Sequence, residues 1–195
     1  MSDAHLFAIG VLLAWLAGIR VYLTVFGVGL AGFFGWLDLP RAMQAAQSPW
    51  VLGVSGSLAL VEFFADKMPG VDSGWDLLQT LARVPAGAFL AAAALSPDGE
   101  LGAGMLATGA GVALTSHAVK AGTRLLVNAS PEPVSNVAVS TAEDGLALGA
   151  LGLMLVSPWL ALALAVGAAG LLALALLWLV RRLRRPRSAS RHPPA

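Results

Sequence analysis

Long apolar segments limit what this chain can fold into. Several reach the ~20 residues that a helix needs to cross a bilayer, and only 12% of the 195 residues are charged, about half the fraction in a soluble domain. The sequence therefore predicts an all-α, polytopic transmembrane helix bundle with about six spans and no separate soluble domain. The predicted spans are 4–37, 50–66, 76–95, 101–127, 134–156 and 159–180.

The first apolar segment, 4–37, is too long for a single straight span. As one helix it would extend about 51 Å, whereas the hydrocarbon core of a bilayer is ~30 Å thick. A glycine precedes a charged residue within Ala17-Gly18-Ile19-Arg20. We therefore expect broken helices, with the first break at this position.

The charge distribution predicts one transmembrane domain over residues 1–180 and a basic, disordered tail over 181–195. Six of the twelve Lys and Arg residues lie in this tail. The positive-inside rule places such a tail in the cytoplasm, so we expect a multi-pass protein of the cell (inner, cytoplasmic) membrane with a cytoplasmic C-terminus. An even number of spans would place the N-terminus on the same side.

A weak internal repeat divides the chain into 4–95 and 101–180. Ala-Gly-x-Arg occurs at 17–20 and 121–124, and each copy is followed by Ser-Pro and then by a span containing carboxylates. With three spans in each half, the halves would be inverted. Inverted three-plus-three repeats are common in secondary transporters, with the binding site at the repeat interface. In a chain this rich in Ala, Leu and Gly, the match can also arise by chance.

Residues 61–76 carry a concentration of charge that is unusual in so apolar a chain. Glu62 and Asp66 have i,i+4 spacing and share a helix face, as do Asp72 and Asp76. Met68-Pro69-Gly70 should interrupt the helix between the pairs. An unpaired charge at the bilayer centre costs ~3 kcal/mol and marks a functional site by default. The pattern therefore indicates a carboxylate site for a cation or proton.

Each acidic pair also has a simpler interpretation. Asp66 would be solvated if it lay at the membrane interface. Asp72 and Asp76, with Ser73 as N-cap, would stabilise the start of a helix. Glu62 and Asp66 are the candidates for metal ligands, since carboxylate oxygens suit hard cations.

The second half supplies counterparts to this window. Glu143 and Asp144 are predicted to complete the ion- or proton-binding set. Basic residues that would balance the charge lie within otherwise apolar sequence. These are Arg20, Lys67, His117, Lys120 and Arg124. They could instead extend to the interface or form a structural ion-pair network.

Other classes of function find no support in the sequence. There are no cysteines, which excludes disulfides and thiolate chemistry. No nucleophile, phosphate-binding or dinucleotide-binding motif occurs. We therefore expect no enzyme activity, no cofactor and no nucleic-acid partner. The expected partners are the lipid bilayer and a cation or proton, and the small size would also suit a homodimer.

Three motifs resemble a family of small bacterial and plant membrane proteins, the domain of unknown function 4126. They are Ala17–Thr24, Val61–Asp76 and Lys120–Asn136. The resemblance covers residues 8–180 and implies a polytopic membrane protein. Glu62-Phe-Phe-Ala-Asp66-Lys67 is also similar to the Glu-x-Gly-Asp-Lys-Thr signature of small cation–proton exchangers, but it has an extra residue and lacks the glycine and the hydroxyl.

These features favour a small secondary transporter or channel for a cation or proton, using intramembrane carboxylates. The alternative is a non-transporting membrane scaffold or assembly factor whose buried charges form a structural ion-pair network.

Overall fold

The computed structural model describes residues 2–68, 70–96, 99–128 and 133–183, and it confirms the all-α prediction for this part of the chain. A 3-10 helix, η1, spans Arg41–Gln47. The α-helices are α1 (Asp3–Ile19), α2 (Val21–Phe33), α3 (Pro49–Ala65), α4 (Val71–Ala94), α5 (Ala103–Asn128), α6 (Pro133–Val156) and α7 (Pro158–Leu183).

Several helices have the length and composition of membrane spans. Among the described residues, three such segments are Gly74–Ala94 in α4, Val134–Val156 in α6 and Pro158–Arg182 in α7. A fourth would result if η1 and α3, which meet at a bend of 69°, formed one span. α1 and α2 are shorter apolar helices. The chain is therefore consistent with a membrane-embedded protein, while the six-span count and the inverted repeat stay predictions.

The predicted break in the first apolar segment is confirmed at Arg20, where the chain also reverses direction. Arg20 has φ −140° and ψ 75°, outside the helical region, and it separates α1 from α2. Leu6 and Ile9, near the start of α1, line a small cavity with Leu39. A Cβ on Gly32, near the end of α2, would also lie against Leu39. α1 and α2 therefore form a hairpin with Arg20 at its tip, and not one broken span.

This reversal sets the direction of every later helix. Leu52 of α3 fills the space beside Gly29 of α2, and Phe26 of α2 fills the space beside Gly56 of α3. Because the later residue of one helix faces the earlier residue of the other, α3 runs antiparallel to α2. The helices continue to alternate in direction, and α7 returns along α6, with which it lines a common cavity. The N-terminus therefore lies at the opposite end of the bundle from Leu183. The first apolar segment supplies two of these helices, α1 and α2, while the number of membrane crossings stays a prediction.

Close contact among α1, α4 and α5 fixes the centre of the bundle. Glycines allow the backbones to approach, as is common between helices in lipid. A Cβ built on Gly109 of α5 would lie 2.5 Å from the carbonyl oxygen of Gly87 in α4. On α1, Gly10 also lies close to α4, with 3.0 Å between its built Cβ and the carbonyl oxygen of Ala91. Leu12 and Leu13 of α1 are fully buried in the apolar core.

Two predicted boundaries need correction. α4 begins at Val71, and its N-cap is Gly70 with φ +85°, so Ser73 lies inside the first turn and is not the cap. A glycine suits this position because the left-handed region is strained for other residues. α7 continues to Leu183, so the predicted tail starts as helix, with Arg181 and Arg182 in the last turn, where cations favour the helix dipole. The rest of the tail, Pro69 and Ser130-Pro131 lie outside the described residues.

Candidate functional site: a buried charge network

Charged side chains from the four helices α3 to α6, from the α1–α2 break and from the α3–α4 connection meet at one end of the bundle. This is the end where α1, α3 and α5 finish and α2, α4 and α6 begin. The structure brings together every residue predicted for the site and adds Arg83. The resulting set, called the charge network below, comprises Arg20, Glu62, Asp66, Lys67, Asp72, Asp76, Arg83, His117, Lys120, Arg124, Glu143 and Asp144.

Asp66, at the end of α3, occupies the centre of the network. Its Oδ2 contacts the Arg20 guanidinium and lies 2.6 Å from Lys120 Nζ and 3.7 Å from Arg124 Nη2. Its backbone oxygen accepts hydrogen bonds from Arg124 Nη1 at 3.0 Å and from Asn136 Nδ2 at 3.3 Å. The side chain is fully buried, so Asp66 is not solvated.

Arg20 joins the first half of the chain to α6. Arg20 lies at the tip of the hairpin, where neighbouring helices bury it to 1% exposure. Its guanidinium lies 3.2 Å from Glu143 Oε2 and 3.0 Å from Asp144 Oδ1. Its Nη2 also donates to the hydroxyl of Ser140 at 3.1 Å. Glu143 and Asp144 are consecutive, so their side chains leave α6 in different directions, and Arg20 lies between them. Arg124 also pairs with Glu143, at 2.9 Å.

Glu62 pairs with Arg83 of α4 and not with Arg20. Arg83 Nη2 lies 3.2 Å from Glu62 Oε1, and Nη1 lies 2.8 Å from Asp76 Oδ1. Nη1 is also 2.8 Å from His117 Nδ1. Since a guanidinium can only donate, Nδ1 accepts and Nε2 carries the proton, donating to Thr80 Oγ1 at 2.7 Å. His117 is therefore a hydrogen-bonded part of this arm.

Lys120 and Asp72 connect these arms. Lys120 Nζ lies 3.0 Å from Asp76 Oδ1 and 3.9 Å from Glu143 Oε2, in addition to its contact with Asp66. Asp72 Oδ2 lies 3.8 Å from Arg124 Nη1, and its Oδ1 accepts from the backbone nitrogen of Gly70 at 3.0 Å. Asp72 and Asp76 thus belong to the network. Asp72 also lies in the first turn of α4 and bonds the backbone nitrogen of the N-cap residue, as the capping interpretation expects, whereas Asp76 lies beyond that turn.

Lys67 forms the accessible edge of the network. Its side chain is 18% exposed, and Nζ lies 2.6 Å from Asp144 Oδ2 and 3.3 Å from the centre of the Phe63 ring. Glu143 and Asp144 are 13% and 11% exposed, whereas Arg20, Lys120 and Glu62 are at most 1% exposed. An ion or ligand that reaches the network from outside would therefore first meet the carboxylates of Glu143 and Asp144.

The network contains six carboxylates but only five Lys and Arg side chains, which leaves one formal negative charge when His117 is neutral. Within the described part of the chain, Glu62 Oε2, Asp66 Oδ1 and Asp76 Oδ2 are buried without a hydrogen-bond partner. Buried carboxylate oxygens are costly in that state. In the same part of the chain, the Nε atoms of Arg83 and Arg124 and the amide nitrogen of Gln79 are buried without a partner as well, so the network has unused positions for both donors and acceptors.

The carboxylates are spread among basic groups and do not form a metal cage. Among the described residues, no group of three or more His or carboxylate side chains is placed to hold a metal ion. Glu62 and Asp66, the predicted metal candidates, face different cations, Arg83 and Lys120.

Arg83, Asn136 and Ser140 are members that the predicted site lacked. Arg83 lies seven residues after Asp76, two helical turns along the same face of α4. Asn136 and Ser140 continue the same face of α6 that carries Glu143 and Asp144. The sequences of α4 and α6 each carry polar residues at helical spacing along one face. This pattern could have predicted Arg83, Asn136 and Ser140.

Two cavities reach the charge network on either side of α6. Cavity A, about 340 Å³, lies between α1, α5, α6 and α7 and is lined by Trp15, Lys120, Glu143 and mostly apolar side chains. Cavity B, about 350 Å³, lies between α2, α3 and α6 and is lined by Arg20, Glu62, Asp144 and mostly apolar side chains. Glu143 therefore borders one cavity and Asp144 the other.

The family model for a domain of unknown function, DUF4126, matches residues 7–182, which is nearly the whole described chain. The chain belongs to the DUF4126 family. The match confirms the resemblance seen in the three motifs and includes every member of the charge network. No match was found among curated proteins or among solved structures. The likeness of this DUF4126 protein to cation–proton exchangers stays a prediction, so the function has to be argued from the site.

Proposed function

We propose that this DUF4126 protein is a small secondary transporter that exchanges a cation for a proton at the charge network. The observation that carries the proposal is a buried network with one more carboxylate than basic side chains and with unpartnered carboxylate oxygens. A net charge is unfavourable in a low-dielectric interior. One proton or one monovalent cation neutralises it, and competition between the two for the same charge produces exchange.

Glu62 is the residue to which we assign the exchangeable proton. It is 1% exposed, and the structure pairs it with one guanidinium, that of Arg83. Asp66, by comparison, lies near Arg20, Lys120 and Arg124. The second oxygen of Glu62, Oε2, is buried and has no hydrogen-bond partner among the described residues, and the proton would bind there. Glu62 also borders cavity B, which offers the proton a route.

The arrangement of helices supports exchange across the bundle. Intramembrane ionisable groups that face a cavity are typical of ion and proton pathways. Cavities A and B meet the network from different sides, and Arg20 at the hairpin tip contacts the carboxylate that borders each one. A movement of Arg20 toward Glu143 or toward Asp144 would shift positive charge toward one cavity or the other.

Proteoliposomes containing a trapped pH-sensitive dye test this proposal. We expect external addition of an accepted cation, from a panel of Na⁺, K⁺, Ca²⁺, Mn²⁺ and tetraphenylphosphonium, to raise the internal pH. Glu62→Gln should abolish the response, whereas Glu62→Asp should retain part of it. Glu100→Gln removes an exposed carboxylate outside the network and is the matched control. Absence of a response to every cation, from protein that is folded and inserted, would reject the transporter.

The scaffold function remains the second candidate, because extensive ion pairing favours it. A structural network needs no exchangeable proton. Its ion pairs stabilise the fold only where their geometry compensates the cost of burying the charges. In that case Glu62→Gln would alter the unfolding of the protein in detergent but no flux would exist to lose. Enzyme activity is not part of either proposal.

A further inference from the structure

Cavity A has the size and the lining of a small-molecule site. Its volume of about 340 Å³ falls within the usual range for ligand pockets. Most of its wall is aliphatic, formed by side chains such as Leu16, Leu146 and Leu153. The cavity therefore suits a ligand with a substantial apolar body, and a hydrated inorganic ion would leave this wall unused.

The charge that such a ligand meets is negative. Glu143 and Lys120 both border the cavity, but Glu143 is 13% exposed and Lys120 is 1% exposed. Lys120 is already surrounded by the carboxylates of Asp66, Asp76 and Glu143. An occupant therefore contacts the carboxylate, and the excess negative charge of the whole network adds to the attraction.

Trp15 provides a second feature that favours a cation. It lines the same cavity from α1 and is partly buried. An indole face attracts organic cations, and this is a common way of recognising quaternary ammonium groups. Cavity B is less suitable, because Asp144 contacts Arg20 through Oδ1 and Lys67 through Oδ2. The contacts that the structure shows between Glu143 and Arg20, Lys120 and Arg124 all involve Oε2.

We infer that cavity A binds an amphipathic organic cation, with its charged centre near Glu143 and its apolar body against Trp15 and the aliphatic wall. This rests on the proposed function in that the organic cation becomes the substrate exchanged for the proton. One positive charge on the ligand neutralises the one excess negative charge of the network.

Binding of tetraphenylphosphonium to the full-length protein in zwitterionic lipid nanodiscs tests the inference, with empty nanodiscs subtracted. Tetraphenylborate has the same shape and the opposite charge. We expect saturable binding of tetraphenylphosphonium and none of tetraphenylborate. Glu143→Gln should weaken binding at least about tenfold, equivalent to the loss of one modest charge interaction.

Two glycine-to-leucine variants keep the inference testable if Glu143→Gln fails to fold. A Cβ at Gly149 or Gly152 of α6 meets no atom within 4 Å, and only Gly149 lines cavity A. Gly149→Leu should abolish binding by filling the cavity, whereas Gly152→Leu should bind as the wild type does. Equal binding by both leucine variants, preference for tetraphenylborate, or absence of saturable binding would each overturn the inference.

The outcomes also separate this inference from the proposed function. If inorganic cations exchange for protons but tetraphenylphosphonium does not bind, the organic-cation site is rejected and the proposed transporter function is retained. Saturable tetraphenylphosphonium binding at cavity A without any flux leaves the binding site and removes the transporter.

Discussion

Glu62 and Arg83 form a buried pair whose two partners should be strongly coupled. Neither side chain is more than 1% exposed, so removal of one leaves an uncompensated buried charge. We expect Glu62→Met or Arg83→Met alone to lower the free energy of unfolding by about 3–5 kcal/mol. The double variant should lose less than the sum, because it removes both charges. Reversible denaturation in mixed micelles measures all three.

Arg41→Met is the control for this cycle, since Arg41 is exposed in η1 and lies outside the network. Its effect should stay within about 0.5 kcal/mol. Strict additivity of the Glu62 and Arg83 substitutions would show that the two residues are not coupled.

Two lysines of the network differ in burial, and their substitution should differ in cost. Lys120 is 1% exposed and lies within 4 Å of three carboxylates, whereas Lys67 is 18% exposed and contacts Asp144. We expect Lys120→Met to cost about 3–5 kcal/mol and Lys67→Met about 1 kcal/mol, as for a partly exposed pair. The same denaturation measurement compares them. Equal losses would contradict the assignment of Lys67 to the accessible edge.

Membership of the site was largely predictable from single residues, but its pairings were not. Any charge in so apolar a chain must find a partner, and this alone selected Asp66, Glu143 and the other predicted members. Which cation meets which carboxylate depends on how the helices are arranged in space. Arg83 was missed because it was weighed alone, without its i,i+7 relation to Asp76.

At the scale of helices, the sequence predicted where α1 ends but not that the chain turns back there. Glycine followed by a charge indicates a break, and both a kinked span and a hairpin satisfy that pattern. The hairpin depends on contacts distant in sequence, since Arg20 reaches Asp66 and Glu143 only at the tip. No local signal contains those contacts, which is why the predicted first span became two helices.

Glycines at the contact between α4 and α5 provide a test of helix packing. A Cβ on Gly109 would lie 2.5 Å from the carbonyl oxygen of Gly87 and 2.6 Å from the Cβ of Ala91. Gly109→Ala should therefore destabilise the protein by about 1–3 kcal/mol through overpacking. The thermal unfolding midpoint in detergent reports the change.

Gly111→Ala is the matched control on the same helix, since a Cβ there meets nothing within 4 Å. It should raise the midpoint slightly, because alanine is the better helix former by about 1 kcal/mol. A Gly109→Ala variant as stable as Gly111→Ala would mean that α4 and α5 are not in close contact.

Across the whole molecule, the charge network joins the two halves of the chain. Arg20, Glu62 and Asp66 come from the first half, and Lys120, Arg124 and Glu143 from the second. Opposite charges from the two predicted repeats thus meet in the network. If each half folded separately, these charges would be left unpaired. The network therefore favours a single cooperative domain.

The reversal at Arg20 also determines the topology of the whole protein. With α1 and α2 antiparallel and the later helices alternating, the N-terminus and Leu183 lie at opposite ends of the bundle. Because the chain has no cysteine, single cysteines can report each side. In sealed inner-membrane vesicles of known orientation, we expect Ser2→Cys and Gly99→Cys to react with an impermeant maleimide from one face and Ser188→Cys from the cytoplasmic face. Ala92→Cys, at a fully buried position, should react only after denaturation. Labelling of Ser2→Cys and Ser188→Cys from the same face would restore an even number of crossings and reject the hairpin.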